Sequence, residues 1–236
     1  LCHAKKDAHP NHDIWSIRFN WDQIKQSLCQ SLLAGDYYFS ASKAYKVDNH
    51  SISVWSSLDN IVTTALSLFL QDWLYPKIGV KDQCYHLKGK GVKAAVKAVR
   101  RLTKKYTYTF KTDIKSYYAS IDRHQVQMLF SRWIKDRRIL GLLWQYCDRI
   151  EDVNGCLVSH NRGIPKGGPL SIVIGTVYLV DLDQMPRNAD TQYIRYMDDI
   201  ILLSHSRHRL RQLIKQVYKV LEACGLTLAA AKTFIG

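Results

Sequence analysis

Two adjacent carboxylates, Asp198 and Asp199, sit between apolar runs. Residues 192–196 before them are aromatic and β-branched, and residues 200–203 after them are wholly apolar. The pattern predicts a β-hairpin whose tight turn carries both acids. Neighbouring anions between buried strands are unfavourable unless a cation joins them. A solvated Asp-Asp turn is the simpler alternative, and a second acidic site upstream weighs against it. Residues 107–114 alternate and are rich in Tyr, Thr and Phe, which predicts a strand with Asp113 at its end. A carboxylate at a strand end beside a pair on a hairpin turn can bind two metal ions roughly 3.5–4 Å apart, the arrangement that clamps the attacking and leaving oxygens of a phosphoryl transfer. Oxygen ligands point to Mg²⁺, with Mn²⁺ as the alternative.

The spacing of these sites carries a resemblance. Asp113 is followed five residues on by Tyr118; then come Arg162-Gly163-Ile164-Pro165-Lys166-Gly167-Gly168-Pro169-Leu170-Ser171, Tyr196-Met197-Asp198-Asp199, and residues 226–236 with Lys232-Thr233. This order resembles the palm motifs of reverse transcriptases, most closely bacterial ones of the group II intron, retron and related mobile-element or defence types. Residues 55–73 and 84–101 resemble the fingers of that family more weakly. The resemblance implies a right-hand polymerase in which residues 1–105 form an N-terminal extension and fingers and residues 106–236 the palm. Part of the fingers is then inserted at about residues 123–160, and no thumb is evident in the chain.

The resemblance also implies roles. Asp113, Asp198 and Asp199 would be the metal ligands, helped by the Ile114 carbonyl. Tyr118 would lie where the family selects deoxynucleotides by collision with a 2′-hydroxyl. Gly163, Pro165 and Gly167 would form a stiff loop that lets the backbone approach the incoming nucleotide and template, with Arg162 beside it. Lys166 stands where the family usually has Gln; a lysine is a point charge without an acceptor, suited to a phosphate but unable to repeat a two-sided glutamine contact. Tyr196 and Met197 would meet the primer or template. Lys232 matches the lysine of the last motif and would steer the triphosphate or protonate pyrophosphate, a solvated lysine being the alternative. Arg195 would contact a phosphate or pair with the acidic cluster.

The expected activity is RNA-directed DNA synthesis from a primer 3′-end, with RNA template, DNA or RNA primer and deoxynucleoside triphosphates as partners. A thumb-bearing segment or a ribonucleoprotein partner would complete it. Untemplated or self-primed DNA synthesis, as in defence relatives, and a catalytically silent RNA-binding scaffold are the rivals.

Composition bounds this reading. The 236 residues allow one large domain or two small subdomains. A net charge of +14 suits a polyanionic partner. Six cysteines without a C-x-x-C pair suggest neither a zinc site nor a disulfide framework, and reduced thiols fit a bacterial cytoplasm. His3, His9 and His12 read as a polar N-terminal tail. No apolar run approaches the length of a membrane span, and no membrane partner is expected.

The elements that must hold the acids read as α+β, an antiparallel sheet backed by helices. Residues 14–38 predict a helical start stopped by Gly35, with Trp21, Ile24, Leu28 and Leu32 at helical spacing. Residues 37–54 carry strand signals, with Lys43 and Lys46 as weaker triphosphate candidates. A helix over 57–73 is expected with Ser57 as cap, an apolar face of Ile61, Ala65, Leu68 and Trp73, and a break at Pro76 and Gly79. Residues 84–93 form a basic Gly-containing loop before a helix over 92–105; Lys88, Lys90 and Lys93 suit a phosphate backbone or a triphosphate, or else a solvated face. Asp122 caps a helix to about Trp133, and a second helix covers about 138–150. Residues 151–159 predict a hairpin at Asn154-Gly155. Residues 171–185 predict a buried helix, and residues 207–224 an amphipathic one stopped by Gly225.

Overall fold

A computed structural model describes residues 5–47, 50–79, 82–185 and 190–236; the side chains of residues 46, 47, 50 and 51 are also outside it, so the expectations for His3 and the Lys46 ammonium lie outside the described residues. The chain opens with α1 (Ile14–Phe19) and α2 (Trp21–Ala34), the latter ended by Gly35 at φ 80°. Strands β1 (Ser42–Val47) and β2 (His50–Val54) pair antiparallel. Helix α3 (Ser57–Ile78) follows.

Helix α3 departs from expectation in three ways. Its cap is Ser56, whose Oγ accepts the Asp59 N–H at 3.1 Å; Ser57 is instead anchored to Asp13 through its N–H and hydroxyl, both at 2.6 Å. Pro76 does not break it: the helix runs to Ile78 because Leu74, Tyr75 and Ile78 are buried and hold the last turn, and Gly79 in left-handed geometry ends it. The buried stripe is Val62, Leu66, Leu70 and Leu74, while Ala65 and Leu68 of the expected face are exposed and Trp73 is half-buried.

After α4 (Val92–Leu102) come β3 (Tyr108–Asp113), a single turn α5 (Tyr117–Ser120), α6 (Arg123–Ser131) and α7 (Arg137–Cys147). Asp122 caps α6 by accepting the His124 and Gln125 N–H groups at 2.8 and 3.1 Å. Helix α7 stops before Ile150, which opens β4 (Ile150–Val153); Asn154 and Gly155, both at positive φ, turn it into β5 (Cys156–Ser159). The buried segment after the Gly-Pro loop is two helices, α8 (Pro169–Tyr178) and the short α9 (Val180–Asp183), interrupted at Leu179. Strands β6 (Thr191–Tyr196) and β7 (Asp199–Ser204), helix α10 (Arg207–Ala223) and strand β8 (Phe234–Ile235) complete the chain.

The architecture is α+β with two four-stranded sheets among the described residues. One runs β6-β7-β3-β8 and is antiparallel throughout. The other runs β2-β1-β4-β5, its halves joined by a parallel pairing of Ser42 with Glu151 and Lys43 with Asp152. Helix α8 is buried along most of its length, with Leu170, Val173, Ile174 and Val177 in one core with Phe110 of β3 and Leu202 of β7. That core fixes which face of β3 and β7 points inward, and so fixes their register. No helix among the described residues is long and apolar enough to cross a membrane, and the described cysteines are free thiols.

Candidate active site

The β3–β7 register sets Asp113 directly opposite Asp199. The β6–β7 register pairs Tyr196 with Asp199, which leaves Met197 and Asp198 as a two-residue turn. All three carboxylates therefore meet at one end of one sheet. The Asp198 carboxyl is raised above its ordinary pKa by burial and then by the charges of Asp113 and Asp199. Asp199 is raised by burial and by Asp113, against the opposing pull of Lys111 and Lys232.

The stretch after Asp113 is tied to the C-terminal segment. The Asp113 carbonyl accepts the Ala229 N–H at 2.8 Å, and Lys115 N–H donates to the Thr227 carbonyl at 2.9 Å. Those bonds carry Lys232 back over the site, where its ammonium donates to Asp113 Oδ2 at 2.6 Å and is held protonated by it. Lys232 thus provides one positive charge where two or three negative ones gather.

A cleft of about 710 Å³ opens here. Asp113, Asp198, Ile114, Tyr118 and Lys232 line it, together with Arg149, His160, Arg162 and Lys166. Among the described residues no three His, Cys, Asp or Glu side chains stand in a complete ligand shell. The donor set still fits a hard cation: carboxylates gathered at one sheet end suit Mg²⁺, which binds through one or two carboxylates and fills its shell with water and phosphate oxygens.

Tyr118 is half-buried in the cleft wall, its phenol pushed up to about 12 by burial and by Asp198. Its ring stacks on buried Tyr117 with centroids 5.5 Å apart, and the Tyr117 hydroxyl donates to the Gly175 carbonyl. Gly175 makes room for both rings: a Cβ there would lie 3.1 Å from Tyr118 and 3.2 Å from Tyr117.

The loop from Arg162 to Gly168 is held by its backbone. Gly163 N–H donates to Ile121 O at 2.8 Å and Ile164 N–H to Tyr118 O at 2.9 Å. Ser171 Oγ donates to Pro165 O, and Ser53 N–H to Lys166 O at 3.4 Å. Arg162 lines the cleft, but its guanidinium donates to the Ser120 and Gly225 carbonyls at 2.9 Å each and so clamps the loop. Lys166 and Gly167 are exposed, and Lys166 projects from the cleft wall. Gly163 sits at φ 84°, and a Cβ there would lie 3.0 Å from the Ala119 backbone. Gly163→Ala is expected to lower stability by about 1–3 kcal/mol, as strained backbone does; a thermal melt indistinguishable from wild type would refute this.

Other expected residues go elsewhere. Lys88 and Lys90 do not line the cleft, because their loop runs along the outer edge of β6: Arg195 N–H donates to Gln83 O at 2.9 Å and Tyr85 N–H to Arg195 O at 2.8 Å. Lys90 donates to the Asp82 carbonyl at 2.9 Å and lies over the Tyr85 ring. Lys43 faces solvent in β1, outside the cleft lining. Arg195 neither faces a phosphate site nor pairs with the acidic cluster. It is fully buried beneath the turn, paired with buried Asp183 through Nε at 2.8 Å and through Nη2, and its Nη1 donates to the Met197 carbonyl at 3.0 Å. The strand's inward alternation forces this, since Tyr193 and Arg195 lie on the same face of β6.

The sequence reading missed two groups. Glu151, buried in β4, accepts from Arg149 Nε and pairs with His160 Nε2, each at 2.7 Å, and accepts from Ser53 Oγ of β2. It joins both hairpins of the second sheet to the cleft wall. His86 touches the acidic turn from the β6 edge: its Nδ1 accepts the Met197 N–H at 3.1 Å and its Nε2 meets Thr176 Oγ1 at 2.8 Å. A lone acid in a strand and a lone histidine in a basic loop carry no local signal of these partners.

Comparison with known proteins places the chain in a family and a fold. The family described as Reverse transcriptase (RNA-dependent DNA polymerase) matches residues 47–236. A Schizosaccharomyces pombe protein described as an uncharacterized 91 kDa protein in cob intron is 23% identical over 181 residues, which is 72% of this chain and 22% of that protein. Telomerase from Candida albicans, solved in complex with a TWJ fragment of telomeric RNA, superposes with a TM-score of 0.65 at 13% identity, over 92% of this chain and 47% of its own. Apo telomerase from Candida tropicalis gives 0.63 at 12% identity, over 92% and 49%. At such identities these structures show a shared fold alone. The chain spans about a fifth of the S. pombe protein and about half of each telomerase chain. All three are fungal and lend no support to a bacterial subtype.

Proposed function

The chain belongs to the reverse transcriptase (RNA-dependent DNA polymerase) family, and from that premise we propose that it extends a primer 3′-end with deoxynucleotides on an RNA template. The observation that carries the proposal is the meeting of Asp113, Asp198 and Asp199 at one sheet end, in a cleft otherwise rich in basic groups. A divalent cation bound there, Mg²⁺ first and Mn²⁺ as the alternative, supplies neutralisation of the charge on the transferred phosphoryl group. Asp113 and Asp198 would hold it, helped by Asp199 and the Ile114 carbonyl. Lys232, protonated against Asp113, orients the triphosphate and can give a proton to the departing pyrophosphate. Arg149, His160 and Lys166 offer the positive wall for phosphates. Arg162 and Gly163 shape the nucleotide-binding loop by holding its backbone.

In this reading the fingers lie in residues 1–105 with an insertion at about 123–160, and the palm in the rest of 106–236. A thumb-bearing segment or ribonucleoprotein partner steadies the primer. The cob-intron relative favours a mobile-element setting. Untemplated or self-primed synthesis is the second reading, favoured by Lys166 at the nucleotide-binding loop.

Primer extension with Mg²⁺ on an RNA template tests both, beside a no-template control and Asp198→Ala. Templated extension lost in the variant supports the proposal. Product of equal length without template moves the assignment to the second reading. Template binding without any product, unaffected by Asp198→Ala, overturns both in favour of a scaffold.

Tyr118 sets the sugar preference in the same assay. Tyr118→Ala is expected to raise ribonucleotide relative to deoxynucleotide incorporation by about 10–200-fold, the range that small steric differences in a pocket command. An unchanged ratio removes Tyr118 from that role.

A further inference from the structure

The turn that carries Asp198 is held from beneath at one residue. Met197 adopts φ 55°, a left-handed conformation that a residue with a Cβ adopts only when its surroundings hold it there. Both of its backbone polar groups are taken by side chains from other elements. The carbonyl accepts from Arg195 Nη1 at 3.0 Å, and the N–H donates to His86 Nδ1 at 3.1 Å. The ring's other nitrogen settles its tautomer. Thr176 Oγ1 already spends its hydroxyl proton on the Ile172 carbonyl at 2.7 Å, so at 2.8 Å it accepts from His86 Nε2–H. His86 Nδ1 is therefore the bare, accepting nitrogen. Burial and the nearby Arg195 charge hold the ring neutral.

Thr176 belongs to α8, the helix buried at the centre of the core. The chain of contacts from the Ile172 carbonyl through Thr176 and His86 to the Met197 N–H thus ties the acidic turn to the buried core helix α8. Nothing else among the described residues accepts that N–H.

We propose that His86 is a positioning residue for phosphoryl transfer: as an Nε2–H imidazole it accepts the Met197 N–H and so aims the Asp198 carboxylate at Asp113. The inference rests on the polymerase reading for its catalytic consequence. The geometric part stands apart from it. Without the acceptor, a part-buried N–H loses its partner, the left-handed residue relaxes, and Asp198 loses its fixed place beside Asp113. Misplacement of a reacting group by about 1 Å lowers rates by about 10²-fold.

Three substitutions separate positioning from packing. An asparagine Oδ1 occupies the place of the imidazole Nδ1, so His86→Asn keeps an acceptor for Met197. His86→Gln extends past that position and reaches toward Thr176 without replacing the acceptor. His86→Leu removes both contacts. The expected result is that His86→Gln and His86→Leu lower kcat by about 10–100-fold with little change in the KM for deoxynucleotide, while His86→Asn stays within about threefold of wild type. Amide hydrogen exchange supplies the readout independent of activity: the Met197 N–H should be protected in wild type and His86→Asn and fast in the other two. Nitrogen-15 NMR of the wild-type histidines should find His86 with its proton on Nε2. Loss of kcat in all three variants in step with their melting temperatures overturns the proposal, as does a protected Met197 amide in His86→Gln. An inactive wild type whose Met197 protection follows this order defeats the polymerase reading and leaves the tether standing.

Discussion

Replacing Asp198 with asparagine is expected to abolish primer extension and, at the same time, to raise the melting temperature. The two effects share one cause. Asp198 is pressed by burial and by Asp113 and Asp199, so its carboxyl titrates above its ordinary value of 3.8, and Asp199 is raised likewise. Between the unfolded value and the higher folded one, the folded state binds more protons. Stability therefore falls as pH rises through that window, and at neutral pH the ionised carboxylates oppose folding. Asparagine keeps the shape and removes the repulsion. The site is partly open to solvent, so screening keeps the gain modest. A rise of about 2–4 °C is expected at neutral pH, the shift that roughly 1 kcal/mol produces in a chain of this size.

The same substitution removes an oxygen ligand, and charge neutralisation at a phosphoryl centre is worth several kcal/mol. The rate should fall by at least about 10³-fold. Mg²⁺ should raise the melting temperature of the wild-type protein, because it binds the folded state, and should leave Asp198→Asn nearly unmoved. A variant that melts clearly below wild type, or retains more than a tenth of its extension rate, would sink this account.

The acidic turn was legible because the two strands and the turn that carry it are adjacent in the sequence. An alternating strand, a two-residue turn and an apolar strand lie within 14 residues of one another, and the partner strand announces itself by its own alternation. The faces of α3 were not legible. Apolar residues occupy all sides of that helix, from Val62 and Leu66 to the exposed Leu68 and Phe69, so no single stripe stands out; the decision falls to α8, which shares a core with Leu66, Leu70 and Leu74, and to Leu28 and Tyr37, which cluster with Val62. Pro76 likewise reads as a stop until the burial of Tyr75 and Ile78 is known. The second sheet depends on pairing Ser42 with Glu151 across most of the intervening chain, and no local pattern encodes a parallel contact of that kind. For the site, the residues that touch substrate in the proposed reaction sit in dense motifs. The residues that hold them, His86, Asp183 and Glu151, are single polar side chains whose partners come from other elements.

Arg195 shows how much such support weighs. Arg195→Met is expected to destabilise the fold by about 3–5 kcal/mol, the usual effect of breaking a buried ion pair from one side. Its guanidinium and the Asp183 carboxylate are both fully buried. With Arg195 gone, the buried Asp183 carboxylate loses the guanidinium that pairs with it through Nε and Nη2, while Tyr193 Oη at 2.9 Å and Cys84 Sγ at 3.4 Å stay as neutral donors. The Met197 carbonyl also loses its donor. Asp183→Asn should have a similar cost, since it leaves the guanidinium unpaired. The double variant Arg195→Met/Asp183→Leu removes both charges and should recover most of the stability, so that in a denaturation cycle it costs far less than the sum of the two single variants. Activity should not recover with it. The apolar pair restores the core but cannot donate to Met197, so the turn stays loose on one side and extension remains depressed. Folding and catalysis then separate cleanly: strictly additive single and double stabilities would show that the pair is not coupled, and full activity in the double variant would show that the turn needs no hold from below.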